Sequence, residues 1–391
     1  MKNKVLFSAS LFHALNDAAT VTIPMIFPLL YTQQFIIKKY FHIGILSNLG
    51  LLVTLLFQII IANISGKVEH KFMLLVSYIG ICLTLSLITL SSTFATLLFI
   101  YLTMRVFTSF YHSVGLAWVS KSHPSQGIDF AMGIQGGSGN LGVFLAFVSS
   151  GYLAQNFNWK VPLLVWAGMA FFLGSISFLA VRKTSTLGEE VSNPDFSSWM
   201  KTLKNIKIYI PGFVFGGACW GTTVFYAPSL LNHRFQIPLG QTGLYLALWI
   251  GVGTVMTYLF GLLSRHLGRL KISVSAFIGA TLFLFVLGIA PSKELALVSL
   301  FFFGAFLFLV YPSFQSFVGA DVSPENQAQA FSLAANVQMV TGAIVVLAAG
   351  YLSDRFGINS PFILIGILGG VISVFYLLKR SVLAKKLFVI R

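Results

Sequence analysis

Long apolar runs recur from one end of this 391-residue chain to the other, and each is about long enough to cross a lipid bilayer. We count twelve of them: 5–31, 43–65, 71–92, 95–119, 127–154, 160–181, 206–231, 239–263, 271–290, 295–319, 327–352 and 359–378. Hydrophobic residues make up 57% of the sequence and charged residues only 9%. A water-soluble protein could not bury this much apolar surface in its core. Because a backbone in lipid must satisfy its own hydrogen bonds, we predict an all-α membrane protein.

An even number of spans places both chain ends on one side of the membrane, and the basic residues indicate which side. Of the 25 Lys and Arg residues, 18 fall on the side of the termini, six fall on the other side, and Arg105 lies inside a span. Since cytoplasmic loops are enriched in Lys and Arg, both termini are predicted in the cytoplasm, in a multi-pass protein of the cell (inner) membrane. This distribution also explains the net charge of +15 without a nucleic-acid partner.

The chain repeats itself at an offset of about 200 residues. The stretch "PLLYTQQFI" (28–36) aligns with "PSLLNHRFQI" (228–237), and "GYLAQNFNWKVP" (151–162) aligns with "GYLSDRFGINSP" (350–361). A parallel repeat of this kind suits alternating access to a site near the bilayer midplane. The predicted organisation is an N-terminal six-helix bundle at 1–182, a polar cytoplasmic linker at 183–205, and a C-terminal six-helix bundle with a short tail at 206–391.

With these two repeated halves, the sequence resembles the major facilitator superfamily over nearly its full length. The resemblance implies twelve transmembrane helices in two pseudo-symmetric six-helix bundles. Three stretches further resemble the fosmidomycin-resistance-like branch: "LNDAATVTIPMIFPLL" (15–30), "SFYHSVG" (109–115) and "GIQGGSGNLG" (133–142). That branch implies a proton-driven antiporter for efflux of small toxic compounds, including anions, and hence a role in drug resistance. Uptake of an organic acid, sugar or inorganic anion is the alternative function. A membrane receptor that does not transport is the third possible function.

The superfamily signature loop occurs in both halves in altered form, as "ANISGKVEHKF" (62–72) and "GLLSRHLGRLK" (261–271). By this resemblance the loops would act as charged latches on helix ends during gating. The candidate gating residues are Gly66, Glu69, Lys71, Gly261, Arg265, Gly268 and Arg269. The simpler alternative is that both loops are basic turns that only follow the charge rule for membrane topology.

The first apolar run carries three polar side chains that are unusual inside a membrane. His13, Asn16 and Asp17 are spaced so that they share roughly one face of a helix. A charge near the bilayer centre costs about 3 kcal/mol, so ionisable residues there usually line a transport path. We predict that Asp17 and His13 couple protons, together with His112 on the fourth span. The alternative is a fixed ion pair that holds helices together.

Arg105 lies on the same predicted face of the fourth span as His112, seven residues away. We hypothesise that Asp17 and Arg105 approach each other, and that protonation of Asp17 frees Arg105 to bind an anionic solute. The guanidinium suits this role because its planar fork matches a carboxylate or phosphonate. A permanent neutralising pair is the alternative.

Other candidates for solute binding are polar or aromatic. In the first half they are Asn16, Tyr111, Gln135 and Asn140, and in the second half Trp220, Tyr226 and Tyr311. At an offset of 200, Asn16, Asp17, Arg105 and His112 correspond to Gly216, Gly217, Ala305 and Pro312. We therefore predict that the first half handles protons and charge, whereas the second provides an aromatic wall. The glycines of the fifth run favour close helix packing.

The sequence favours a transporter over an enzyme. It holds no His and Cys pattern typical of a metal site and no phosphate-binding Gly-Lys-Ser/Thr motif. We therefore predict no cofactor and no metal, and a solute or ion gradient as the driving force. The predicted partners are a small-molecule solute, protons and the lipid bilayer, and a monomer suffices for this mechanism.

Overall fold

The computed structural model describes residues 2–65, 67–123, 128–184, 196–322 and 324–379, and these residues form helices and no strands. The α-helices are α1 (Lys2–Thr32), α2 (Tyr40–Ile64), α3 (His70–Ile88), α4 (Phe94–Ser122), α5 (Ile128–Asn156), α6 (Lys160–Val181), α7 (Phe196–Ile206), α8 (Ile210–Ser229), α9 (Leu239–Leu267), α10 (Arg269–Ile289), α11 (Lys293–Asp321), α12 (Pro324–Phe356) and α13 (Ser360–Leu378). A π-helix at Leu230–Arg234 continues α8. The all-α prediction is confirmed.

Eleven of the described helices are long and apolar enough to cross a membrane, and α7 and α8 provide a twelfth span if this bent pair is counted as one. This agrees with the twelve runs read from the sequence. The additional helix is α7, which occupies part of the stretch predicted as a polar linker. It meets α8 at an angle of 87°.

The chain divides into two compact units. The first contains Met1–Ser192 together with Leu231–Ala247, and the second contains Asn193–Leu230 together with Leu248–Arg391. The beginning of α9 therefore packs within the first unit. There the Gly240 N–H donates to the side-chain oxygen of Gln155 at 2.7 Å.

The repeat read from the sequence has counterparts in local packing. Gly80 on α3 lies against the ring of Phe107 on α4, and Gly279 on α10 lies against the ring of Phe306 on α11, at an offset of 199 residues. In both places a Cβ atom would overlap the ring. The same helix-to-helix contact is thus built twice, once in each unit, with glycine as the residue that permits it.

Within the first unit, α1 is buried along almost its whole length and packs against α4, α5 and α6. Its crossing with α5 is close, because a Cβ atom on Gly142 would overlap the backbone carbonyl of Ala14. This crossing brings the polar residues of α1 next to the backbone of α5. The predicted packing role of the fifth-run glycines is therefore observed at Gly142.

We expect Gly80→Ala and Gly279→Ala each to lower the stability of the purified protein, because the added methyl group must displace a phenylalanine ring. Overpacking of this kind costs about 1–3 kcal/mol. Gly168→Ala is the matched control, since nothing lies within 4 Å of a Cβ atom there. Thermal unfolding in detergent measures the difference. Equal midpoints for all three variants would contradict the repeated contact.

Candidate functional site

Six polar side chains from three helices of the first unit meet in one place, which we call the α1 cluster. Its members are His13, Asn16 and Asp17 on α1, Tyr111 and His112 on α4, and Gln135 on α5. All six were predicted as site residues from the sequence, and the structure brings them together.

The central contact of the α1 cluster joins His13 and Asp17, one helical turn apart. His13 Nε2 lies 3.1 Å from Asp17 Oδ2. On the other side of the ring, His13 Nδ1 lies 2.7 Å from the backbone carbonyl oxygen of Gln135. His13 is buried, and the carboxylate of Asp17 is 22% exposed. The imidazole is therefore held from both sides, by α5 and by its own helix.

These two contacts determine where protons lie. A carbonyl oxygen can only accept a hydrogen bond, so His13 Nδ1 must carry a proton that it donates to Gln135. In a neutral imidazole, Nε2 then has a lone pair, and it would face a lone pair of an ionised Asp17 at 3.1 Å. The distance suits a hydrogen bond only if one more proton lies between the two atoms. At this geometry one proton is shared by the two side chains, which are either imidazolium with carboxylate or imidazole with carboxylic acid.

His112 meets the other oxygen of the same carboxylate. Its Nε2 lies 3.4 Å from Asp17 Oδ1 and 3.5 Å from Asn16 Nδ2, which itself donates to Asp17 Oδ1 at 3.1 Å. A protonated Nε2 donates to Asp17, whereas an unprotonated one accepts from Asn16. The side chain of His112 is 40% exposed, so it is the histidine of the cluster with access to solvent.

Tyr111 and Gln135 form the wall behind His13. The Tyr111 ring stacks on the imidazole with centroids 4.4 Å apart, and its hydroxyl donates to Gln135 Oε1 at 2.8 Å. Gly139 closes the same side, because a Cβ atom there would lie 2.6 Å from His13 Nε2 and 2.9 Å from Asp17 Oδ2. A glycine is therefore required where α5 passes the ion pair.

One nitrogen of each histidine and one oxygen of Asp17 lie within 4.8 Å of one another, so this group could hold a metal ion. Asp17 meets the two rings with different oxygens, Oδ2 for His13 and Oδ1 for His112. That is the arrangement of a carboxylate that accepts two separate N–H groups. We therefore interpret the group as a hydrogen-bonded ion-pair cluster, and both its proton coupling and the absence of a metal stay predictions.

Arg105 is placed differently from our hypothesis. The ion-pair partners of Asp17 among the described residues are His13 and His112, so the predicted Asp17–Arg105 pair is wrong for this structure. Arg105 Nε instead donates to Thr54 Oγ1 at 2.9 Å and to the Gly50 carbonyl at 3.3 Å, both on α2. The physical reason is local: histidines on α1 and α4 already contact both carboxylate oxygens of Asp17.

Although Arg105 is only 6% exposed, no acid neutralises it within the described part of the chain. Its Nε is anchored, whereas its terminal Nη groups donate to no described residue. A buried guanidinium whose two terminal amino groups, with four N–H donors, are free is suited to an anion. The anchors Thr54 and Gly50 were missed by the sequence reasoning, and a neutral Thr on an apolar helix gives no signal by which to find them.

The second unit contains a chain of aromatic contacts near the predicted wall. The Trp220 ring lies 5.7 Å from Trp249 and 6.3 Å from Phe308, which in turn lies 6.0 Å from Tyr311. The Tyr311 hydroxyl donates to the Gly216 carbonyl at 2.9 Å.

Two other predicted contacts behave differently. Tyr226 is fully buried and donates to the Val346 carbonyl at 2.7 Å, which is a packing role. Asn140, as the structure describes it, makes no hydrogen bond to the six residues of the α1 cluster.

In the first signature loop, the described residues have a structural use. Lys71 Nζ pairs with Glu69 at 2.6 Å and donates to the carbonyls of Arg182 and Thr184 at 3.1 and 3.0 Å. The ammonium group thus has one ion-pair partner and two backbone acceptors, and both acceptors lie just after the end of α6. Glu69 supplies the acid that the loop otherwise lacks. Gly66 lies outside the described residues.

In the second signature loop, Gly268 has a φ of +86°, which favours glycine, and it begins α10. Arg269 Nη1 donates to the Ser316 carbonyl of α11 at 3.4 Å. Arg265 is exposed at the end of α9, and Gly261 has open space where a side chain would be. Both loops tie helix ends within their own unit, and the gating role of their residues stays a prediction.

A family model described as Major Facilitator Superfamily matches residues 6–346. The chain belongs to the major facilitator superfamily. It is therefore a transporter of the superfamily type, and the predicted fosmidomycin-resistance-like branch stays a prediction. No curated protein matches the sequence.

Solved transporters of the superfamily share the fold. A bacterial homolog of the human lysosomal transporter Spinster, in an inward-facing and unoccupied conformation, has a TM-score of 0.80 at 15% identity, with 98% of each chain covered. A POT family transporter in complex with a thioalcohol-conjugated peptide has a TM-score of 0.81 at 14% identity, covering 97% of this chain and 96% of that one. The nucleoside transporter NupG has a TM-score of 0.74 at 13% identity, covering 96% of this chain and 98% of that one. At these identities the likeness concerns the fold alone.

We expect Gly139→Ala to disrupt the α1 cluster, because its methyl group would collide with His13 and Asp17. Gly136→Ala is the matched control on the same helix, since a Cβ atom there meets nothing within 4 Å. Proton release from the purified protein during a pH jump, followed with a soluble indicator dye, measures the effect. Gly139→Ala should alter the titration and Gly136→Ala should not. An unchanged titration in Gly139→Ala would mean that α5 does not confine the pair.

Proposed function

We propose that this protein is a proton-coupled secondary transporter of a small anionic solute. The observation that carries the proposal is the contact of His13 with Asp17, which needs a shared proton while Gln135 holds the other ring nitrogen. The superfamily provides the transport function, and the α1 cluster provides the means by which a proton can drive it.

Loss of the shared proton changes the forces in the α1 cluster. His13 Nε2 and Asp17 Oδ2 would then face each other as two acceptors, with a net negative charge in a site of low dielectric. The imidazole can relieve this only by leaving the Gln135 carbonyl or by moving away from the carboxylate. Because those partners belong to α5 and α1, deprotonation favours a rearrangement of two helices. His112, the more exposed histidine, is the group through which the proton reaches the pair.

Arg105 is the proposed anion site. It is buried, it has no acidic partner among the described residues, and it is fixed to α2 through Nε alone. The terminal nitrogens remain available for a carboxylate, phosphate or phosphonate, which the guanidinium fork binds in a bidentate manner. A neutral or cationic solute would leave this charge uncompensated, and so an anionic solute suits the site best.

The charges of the proton and the anion indicate whether the two cross the membrane in the same or in opposite directions. Arg105 and His112 are seven residues apart on α4, about 10 Å along the helix. At that distance, and with an effective dielectric constant of about 20, one added positive charge strengthens anion binding by about 1.5 kcal/mol, or roughly tenfold. A proton and an anion then favour each other's binding, which supports movement in the same direction.

Cotransport of this kind, driven by an inward proton gradient, is uptake. Export by proton antiport is the second candidate, and the three stretches that resemble the fosmidomycin-resistance-like branch support it. The two candidates predict opposite effects of pH on anion binding. In cotransport a lower pH tightens anion binding, whereas in antiport the proton and the solute compete.

Binding is tested first on the purified protein. Inorganic phosphate, methylphosphonate and a series of small carboxylates are screened by thermal shift at two pH values, since any bound anion stabilises the folded protein by mass action. We expect stabilisation that is lost in Arg105→Gln and largely retained in Arg105→Lys. Arg355→Gln, a change at an exposed arginine on α12, is the matched control. Stabilisation of Arg105→Gln equal to that of the unchanged protein would exclude Arg105 as the anion site.

Coupling is tested in proteoliposomes that contain a pH-sensitive dye, with an anion found in the screen. We expect an inward anion gradient to acidify the lumen and Asp17→Asn to abolish this proton movement while anion exchange persists. Asp354→Asn, which changes an acid at the end of α12, is the control. Alkalinisation by the same gradient would identify antiport. Intact proton movement in Asp17→Asn would rule out the α1 cluster as the coupling site.

A further inference from the structure

We propose that α7 is an interfacial helix that holds the second unit to a membrane surface rich in anionic lipid. Its lysines Lys201 and Lys204 would contact the headgroups, and its apolar side would enter the lipid beside α11 and α12. The inference concerns a helix of the second unit, whereas the α1 cluster belongs to the first, and it does not rest on the proposed transport function.

The orientation of α7 relative to the bilayer follows from its neighbour. α8 has 20 residues and its π-helix adds five, which together are about long enough to cross a bilayer. α7 and α8 qualify as a membrane segment only as a bent pair, and α7 meets α8 at 87° across a short break. A helix nearly perpendicular to a spanning helix lies along the plane of the membrane. At the end of a span, that plane is the interface between lipid and water.

The side chains of α7 divide into two faces that suit this position. Thr202 and Ile206 are buried, and Thr202 Oγ1 donates to Gln329 Oε1 of α12 at 2.7 Å, so this side is attached to the protein. Met200 is 39% exposed although it is apolar. Lys201 and Lys204 are exposed and lie away from the side of α7 that packs on the protein. At 100° per residue, Met200 lies between the buried side and the lysines, where a membrane surface would meet it.

The charge of α7 indicates which lipid it would meet. The sequence of the helix, FSSWMKTLKNI, contains two lysines and no acid. Each lysine near an anionic bilayer surface contributes about 1 kcal/mol of attraction. The exposed Lys207 follows directly, and the charge rule predicts that this face is cytoplasmic, where anionic lipids concentrate. Anionic phospholipid is therefore the partner that matches both faces of α7.

Contact of α7 with lipid would also affect the helices to which α7 is attached. It is joined to α12 by the hydrogen bond of Thr202, and it leads directly into α8. A lipid that fixes α7 therefore fixes the entry of two helices of the second unit. The lipid composition would thereby set how easily that end of the unit moves.

The test places a nitroxide on each face of α7 in the full-length protein. Cys82 and Cys219 are first changed to Ser, and Met200→Cys and Asn205→Cys are labelled separately, Asn205 being exposed on the polar side. Accessibility to oxygen and to a water-soluble nickel complex is measured in nanodiscs of phosphatidylcholine, with and without phosphatidylglycerol. We expect the Met200 label to be reached by oxygen and the Asn205 label by nickel. Phosphatidylglycerol should move the Met200 label deeper, and high salt should reverse this shift.

The variant Lys201→Gln/Lys204→Gln should lose the shift caused by phosphatidylglycerol. Lys38→Gln/Lys39→Gln, a change of two exposed lysines between α1 and α2, should retain it. Nickel access at Met200 in both bilayers would overturn the interfacial placement. Shielding of that label from both reagents would indicate a protein contact instead of lipid. An identical depth in the two bilayers would overturn the preference for anionic lipid.

Discussion

One contact, in which an imidazole is held between a backbone carbonyl and a carboxylate, determines the chemistry of the first unit. Because the Gln135 carbonyl fixes a proton on Nδ1 of His13, the opposite nitrogen can meet Asp17 only through a second proton. In water such a contact would be weak and easily replaced. His13 is buried, so losing its hydrogen bond to the carboxylate costs more than it would in water, and we expect the protonation state to affect helix packing.

The surrounding structure serves this contact. α5 reaches His13 because Gly139 and Gly142 let its backbone approach α1, and Tyr111 stacks on the ring from α4. The second unit repeats this kind of helix contact but has no ionisable side chains at the matching sequence positions. It contains instead a series of aromatic contacts from Trp220 to Tyr311. At these matched positions the ionisable side chains thus lie in only one of two similar halves, and the predicted division of labour between the halves stays a prediction.

Much of this arrangement could be predicted from the sequence, for physical reasons. Twelve apolar runs and a repeat at about 200 residues suffice for the fold, since a bilayer permits few alternatives. The i, i+4 spacing of His13 and Asp17 already predicts their contact. The partner of Arg105 could not be predicted in this way. Arg105 and His112 share one face of α4, so which of them meets Asp17 depends on the position of α4 along its axis relative to α1. The neutral anchor Thr54 carries no signature in the sequence.

The most direct test of the central contact is a pH titration of the ring nitrogens of His13 by ¹⁵N nuclear magnetic resonance in lipid. The His13→Gln variant assigns the signals. We predict that Nδ1 stays protonated at every pH, whereas Nε2 exchanges its proton, and that Asp17→Asn displaces this titration. A His13 whose Nδ1 loses its proton, or whose titration is the same in Asp17→Asn, would contradict the shared proton and with it the proposed coupling.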